Sequence, residues 1–102
     1  MRMMDKQKGY MLIADGSIHS DSEEPPTPIG LFVRGYFQDD RFFPEGNIEG
    51  RGSLGDSGQP GWMELFTGTF YGIQTSRPPF PPYIEGYMTP EGFLPSSRRV
   101  VY

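Results

Sequence analysis

The 102-residue chain contains no cysteine, one histidine, one tryptophan and only two lysines. Without cysteine there is no disulfide framework, no thiolate nucleophile and no soft metal ligand, and an intracellular, cytoplasmic setting is expected. Long apolar runs are missing as well. The longest near the start, Tyr10-Met11-Leu12-Ile13-Ala14, is too short for a signal-peptide core or a bilayer span, so a soluble chain without a leader and no membrane partner are expected. Basic charge is scarce: nine Lys and Arg stand against 13 Asp and Glu, for a net charge of −4. A nucleic-acid binder usually needs a positive stripe to displace counterions, so nucleic acid is not an expected partner.

Helix is excluded by punctuation. The chain carries 14 glycines and 11 prolines, and no stretch free of both exceeds eight residues. An average helix needs about 11–12. Short strands between turns remain. Aromatic residues make up 15% of the chain, enough large rings to build a core where aliphatic residues are few. The expected fold is all-β, a small antiparallel β-barrel or sandwich of five to seven short strands with essentially no helix.

Strands are expected at Tyr10 to Ala14, Ile29 to Phe37, Asn47 to Leu54 and Gly61 to Thr75, with another beginning near Tyr83. Residues 1–28 read as an N-terminal strand and a mobile acidic, proline-containing linker, and 29–102 as the ordered core. Two echoes suggest a meander. Phe32 to Phe37 matches Leu65 to Phe70 as apolar-x-x-Gly-x-Phe, and Pro44-Glu45-Gly46 recurs as Pro90-Glu91-Gly92, which reads as a pair of hairpin tips. The 76–82 segment is a proline-rich connector with PxxP spacing, read as a stiff crossing packed by Phe80 and Tyr83. The closing Arg98 to Tyr102 stretch has the composition of an edge strand, for this sheet or a neighbour's.

Chemical motifs are thin. Gly50, Gly52 and Gly55 spell G-x-G-x-x-G, but Asp56-Ser57-Gly58-Gln59-Pro60 cannot open a helix and no lysine follows, so the chemistry of a phosphate loop is missing. A pliable hairpin loop is expected; if it binds something, it is expected to fold over a partner or ligand held elsewhere, with Gly55 to Gly61 the part that moves. His19 alternates with Asp15, Ser17 and Asp21, and reads as a surface histidine rather than a metal ligand or triad member. Asp39, Asp40 and Glu45 read as a solvated hairpin end, lacking the spaced oxygens of a calcium loop. Glu49 and Glu64, in adjacent expected strands, are the least favoured enzymatic idea, a carboxylate pair for hydrolysis; solvent-facing strand residues paired with Arg34 or Arg51 is the plainer reading. No cofactor, metal or catalytic residue is expected.

Aromatic surplus is the functional signal. Adjacent rings such as Tyr36-Phe37 and Phe70-Tyr71 must point to opposite faces of a strand, so both faces of the sheet carry them. Arg34, Tyr36, Arg51, Trp62 and Tyr71 are therefore the expected binding residues, being of the types that concentrate binding energy. The expected function is a non-enzymatic binding or inhibitor module, homo-oligomeric, acting through an aromatic sheet surface on a protein partner. In general character it is similar to small inhibitor proteins carried by phages and mobile elements, an analogy that rests on no motif. The alternatives are an oligomeric barrel that binds a small anionic or nucleotide-like ligand, and a structural virion or assembly component.

Overall fold

The structure, a computed structural model, describes residues 7–20, 30–73 and 77–102. They form nine short strands and two antiparallel sheets. The first sheet contains β1 (Gln7–Leu12), β2 (Ile18–Ser20), β3 (Leu31–Gln38) and β4 (Arg41–Pro44) in the order β2-β1-β3-β4, with β5 (Glu49–Gly50) also pairing β3. The second contains β6 (Gln59–Glu64), β7 (Thr69–Gly72), β8 (Tyr83–Thr89) and β9 (Gly92–Pro95) in the order β7-β6-β8-β9. The fold is all-β and sandwich-like. Among the described residues no helix is long and apolar enough to cross a membrane.

Nine strands exceed the expected five to seven because β2 and β5 are only three and two residues long, and because the strand expected from Gly61 divides into the β6–β7 hairpin; its expected end at Thr75 lies outside the described residues. The chain turns at Leu65–Gly68, where Glu64 accepts hydrogen bonds from the amides of Phe66 (2.9 Å) and Thr67 (3.2 Å) and from the Thr67 hydroxyl (2.7 Å). The ordered core does not wait for Ile29. β1 lies inside the first sheet between β2 and β3, and Met11 and Ile13 are fully buried. The polar linker likewise begins later than its composition implies, since Ile18–Ser20 is β2; the 21–29 stretch lies outside the described residues.

The two sheets are built to one plan. β1 pairs β2 and β3 as β6 pairs β7 and β8, β3 pairs β4 as β8 pairs β9, and the Phe32–Glu49 pairing reappears as the Tyr83–Val101 bridge. Gly9 answers to Gly61 and Gly16 to Gly68, 52 positions on; Gly35 answers to Gly86 and Phe42 to Phe93, 51 positions on. Backbone bonds outside the ladders repeat too. The Gly16 amide donates to Leu12 (2.8 Å) as Gly68 does to Glu64 (2.9 Å), and the Ile13 amide donates to Leu31 (3.1 Å) as Leu65 does to Pro82 (3.0 Å). The echoes named above are not this repeat. Leu65 to Phe70 is the turn and start of β7, and Pro44-Glu45-Gly46 is the end of β4 and its exit while Pro90-Glu91 is a hairpin tip.

The halves meet in one core, to which they contribute equivalent residues: Met11 and Met63, Ile13 and Leu65, Val33 and Ile84, Phe42 and Phe93, Ile48 and Val100. Burying each such side chain stabilises by about 1.5–3 kcal/mol. Two reciprocal hydrogen bonds link the sheets, from the Phe42 amide to Phe66 (2.9 Å) and from the Phe93 amide to Ala14 (2.8 Å). Between these seams Gly16 (φ 73°) and Gly68 (φ 77°) touch backbone to backbone; a β-carbon on either would fall 2.7 or 2.6 Å from the other's carbonyl oxygen. Only glycine satisfies both the left-handed backbone and that approach.

Candidate functional site

Each sheet turns its second set of side chains outward, and equivalent positions carry different residues there. On the first sheet Tyr10 of β1 stacks on His19 of β2 (centroids 5.3 Å apart) and meets Phe32 of β3 edge-on at 6.0 Å. Arg34 lies over the Phe32 ring at 5.2 Å and pairs with Glu49 at 3.4 Å. Tyr10 and Phe32 are consequently only 5% and 3% exposed. The rings of that face are covered by their own cross-strand pairs, and its Arg34–Glu49 pair is half-exposed.

The second sheet carries Trp62 for Tyr10, Tyr71 for His19, Tyr83 for Phe32, Glu85 for Arg34 and Val101 for Glu49, as the strand registers require. The arginine–glutamate pair is gone. Trp62 faces Tyr71 on one side and Glu85 on the other, and a hollow of about 260 Å³ lies over Trp62 and Glu85, lined also by Ile73 and Tyr87. Tyr71 is 39% and Ile73 51% exposed. Among the described residues no cation pairs with Glu85. This open aromatic face around one carboxylate is the candidate functional site.

The five expected binding residues are therefore divided. Trp62 and Tyr71 meet on the open face. Arg34 is engaged on the outer face of the first sheet, and Arg51 is exposed just after β5. Tyr36 stacks on Phe43 at 5.1 Å beside Phe66, Pro82 and Tyr102. The Tyr102 hydroxyl donates to the Gly46 carbonyl; burial pushes its ionisation above the usual tyrosine value, the hydrogen bond opposes this and the Glu45 carboxylate adds to it. Glu85, Ile73 and Tyr87 escape sequence reasoning because a lone carboxylate between tyrosines reads as an ordinary strand residue. The signal that exposes them is the comparison with Arg34 and Tyr36 in the repeat.

Other candidates resolve locally. Glu49 and Glu64 lie in different sheets, the first bonded to Arg34 and the second to the Phe66–Thr67 turn, so they do not form the facing pair envisaged for hydrolysis. Asp15, Ser17 and His19 do come together, but in the wrong order for a triad. The Ser17 hydroxyl lies 2.7 Å from Asp15 and 2.9 Å from His19 Nε2, so its proton goes to Asp15 and not to the imidazole. Asp21 lies outside the described residues, among which no group of three His, Asp or Glu is placed to hold a metal.

Gly55, the first residue of the segment expected to move if the glycine-rich loop binds something, is anchored. The Gly55 amide donates to Pro95 (2.8 Å), a β-carbon on Gly55 would strike Leu94, and β6 already begins at Gln59. Phe80 does not pack the proline-rich connector; it is 89% exposed. Comparison with protein-family models, curated proteins and solved structures finds no match to this chain.

Proposed function

We propose that the chain is a non-enzymatic binding module that occupies a surface of a protein partner through the outer face of its second sheet. The difference between equivalent faces carries this reading. On one face the rings of Tyr10 and Phe32 are covered and a half-exposed Arg34–Glu49 pair balances its own charge. The other leaves Tyr71 and Ile73 exposed beside Trp62 and Glu85, with no cation among the described residues to pair the carboxylate. Covering the rings is thus within reach of the scaffold. The open face combines aromatic residues, which dominate binding energy, with a carboxylate whose counterpart on the first sheet is a cation. Its complement is a partner segment that presents lysine or arginine beside an apolar side chain, which the net charge of −4 also favours.

A photoreactive phenylalanine analogue at Ile73, introduced in cells that produce the protein, is expected to form an adduct with one protein species. Glu85→Arg should reduce the adduct about tenfold or more, as loss of a charge pair with like-charge repulsion implies. Adduct of equal yield in Glu85→Arg and Trp62→Ala proteins of unchanged circular dichroism would defeat the reading.

A further inference from the structure

A second hollow, of about 470 Å³, opens where the two sheets meet. Arg41 at the start of β4 reaches it from the first sheet, Phe66 and Thr67 from the β6–β7 turn, Tyr71 from β7, and Pro79 and Phe80 from the connector. The Arg41 guanidinium lies over the Phe66 ring, 5.4 Å from its centroid. Among the described residues no carboxylate pairs with it. Glu64 also borders the hollow, but its carboxylate accepts the amides of Phe66 and Thr67 and the Thr67 hydroxyl, so three donors already meet its charge.

We infer that this hollow is a binding site for a planar ring carrying one anionic group, a carboxylate or phosphate. A guanidinium stacked on an aromatic ring keeps its N–H edge free and forked, which matches a carboxylate or phosphate in two-point contact. Tyr71 and the 89%-exposed Phe80 supply flat apolar walls for the ring. The volume is that of a small-molecule site.

The repeat shows that folding does not require these residues. At equivalent positions of the other half Gly92 stands for Arg41, Ala14 for Phe66, Asp15 for Thr67 and His19 for Tyr71, while the backbone bonds Phe42 to Phe66 and Phe93 to Ala14 are the same. At one seam bond the scaffold has Gly92 and Ala14. At the other it has Arg41 and Phe66. Arg34 and Arg51, the arginines among the expected binding residues, are not those lining this hollow.

Titration of the isotope-labelled protein with 1-naphthoate and with adenosine monophosphate, followed by amide chemical shifts, tests the site. At least one should move the Phe66 and Thr67 amides saturably, and the neutral 1-naphthamide and adenosine should bind about tenfold or more weakly, the value of a charge-assisted hydrogen bond. Which anion saturates distinguishes a carboxylate from a phosphate ligand. Arg41 is exposed, so Arg41→Gln leaves the fold intact and should bring the anion's affinity down to that of its neutral analogue. Absence of saturable shifts with both anions, or equal binding by Arg41→Gln, overturns the inference. Phe80→Ala provides an independent check, since it leaves the cation in place and should weaken every ring-bearing probe.

Discussion

Asp15 shows how much a single polar side chain organises in a turn. Its Oδ1 accepts the Ser17 hydroxyl at 2.7 Å and the Ser17 amide at 2.9 Å, closing the turn between β1 and β2. The Ser17 hydroxyl foremost, then the Ser17 amide, hold the carboxyl below its ordinary value; slight burial opposes them and attraction to His19 assists. A carboxyl depressed in the folded state contributes stability above its unfolded pKa, and that contribution is lost as pH falls through the folded value. Asp15→Asn is therefore expected to lower stability at pH 7 by on the order of 0.5 kcal/mol, because the turn is exposed. At pH 3 the difference should shrink. Urea unfolding at both values measures it, and an equal deficit at each would contradict the assignment.

At the scale of elements, the two pseudo-equivalent hairpins reach the same pairing with different turn chemistry. Gln38 pairs Arg41 across Asp39 and Asp40, both of positive φ (57° and 65°), the geometry of a type I′ turn. Thr89 pairs Gly92 across Pro90 and Glu91, with the Thr89 hydroxyl bonded to the Gly92 carbonyl at 2.8 Å. Two consecutive aspartates in the left-handed region are strained where glycine is not. Asp40→Gly should stabilise the protein by about 0.5–1 kcal/mol, read as a higher thermal midpoint, and a lower one would refute the turn assignment. Elements were legible in the sequence to the extent that glycine and proline mark them. Helix was excluded by spacing alone, and β3 and β8 fall where β-branched and aromatic residues gather. Registers were not legible, because an apolar-x-x-Gly-x-Phe pattern recurs in any glycine-rich aromatic chain. Gly35 aligns with Gly86 only once the Phe42 and Phe93 rings are seen lying against them. The open face stayed hidden for the same reason, since Glu85 stands out only beside Arg34.

For the molecule as a whole, the shared core makes the halves interdependent. Met11 and Met63, Phe42 and Phe93 and their neighbours form one cluster, and the Gly16–Gly68 contact sits where both sheets converge. Gly68→Ala adds a β-carbon in the left-handed region, against the carbonyl of Gly16, and should cost on the order of 2 kcal/mol or more. Hydrogen exchange should report that loss in the strands of both sheets together. Loss confined to β6 and β7 would mean the halves fold separately.

The segment joining the halves has a further consequence. Two like halves on one chain satisfy the geometric condition for domain swapping, since each could find its complement in another molecule. Here Gly55 is bonded to Pro95 and seated on Leu94, so the linker is fastened to the half that follows it. A segment fastened to the second half travels with it, so any hinge for exchange falls before Gly55, in the short 51–54 stretch, and exchange forgoes the high local concentration that a short tether gives the resident half. The end of the glycine string that resembles a nucleotide fingerprint thus belongs structurally to the half that follows it.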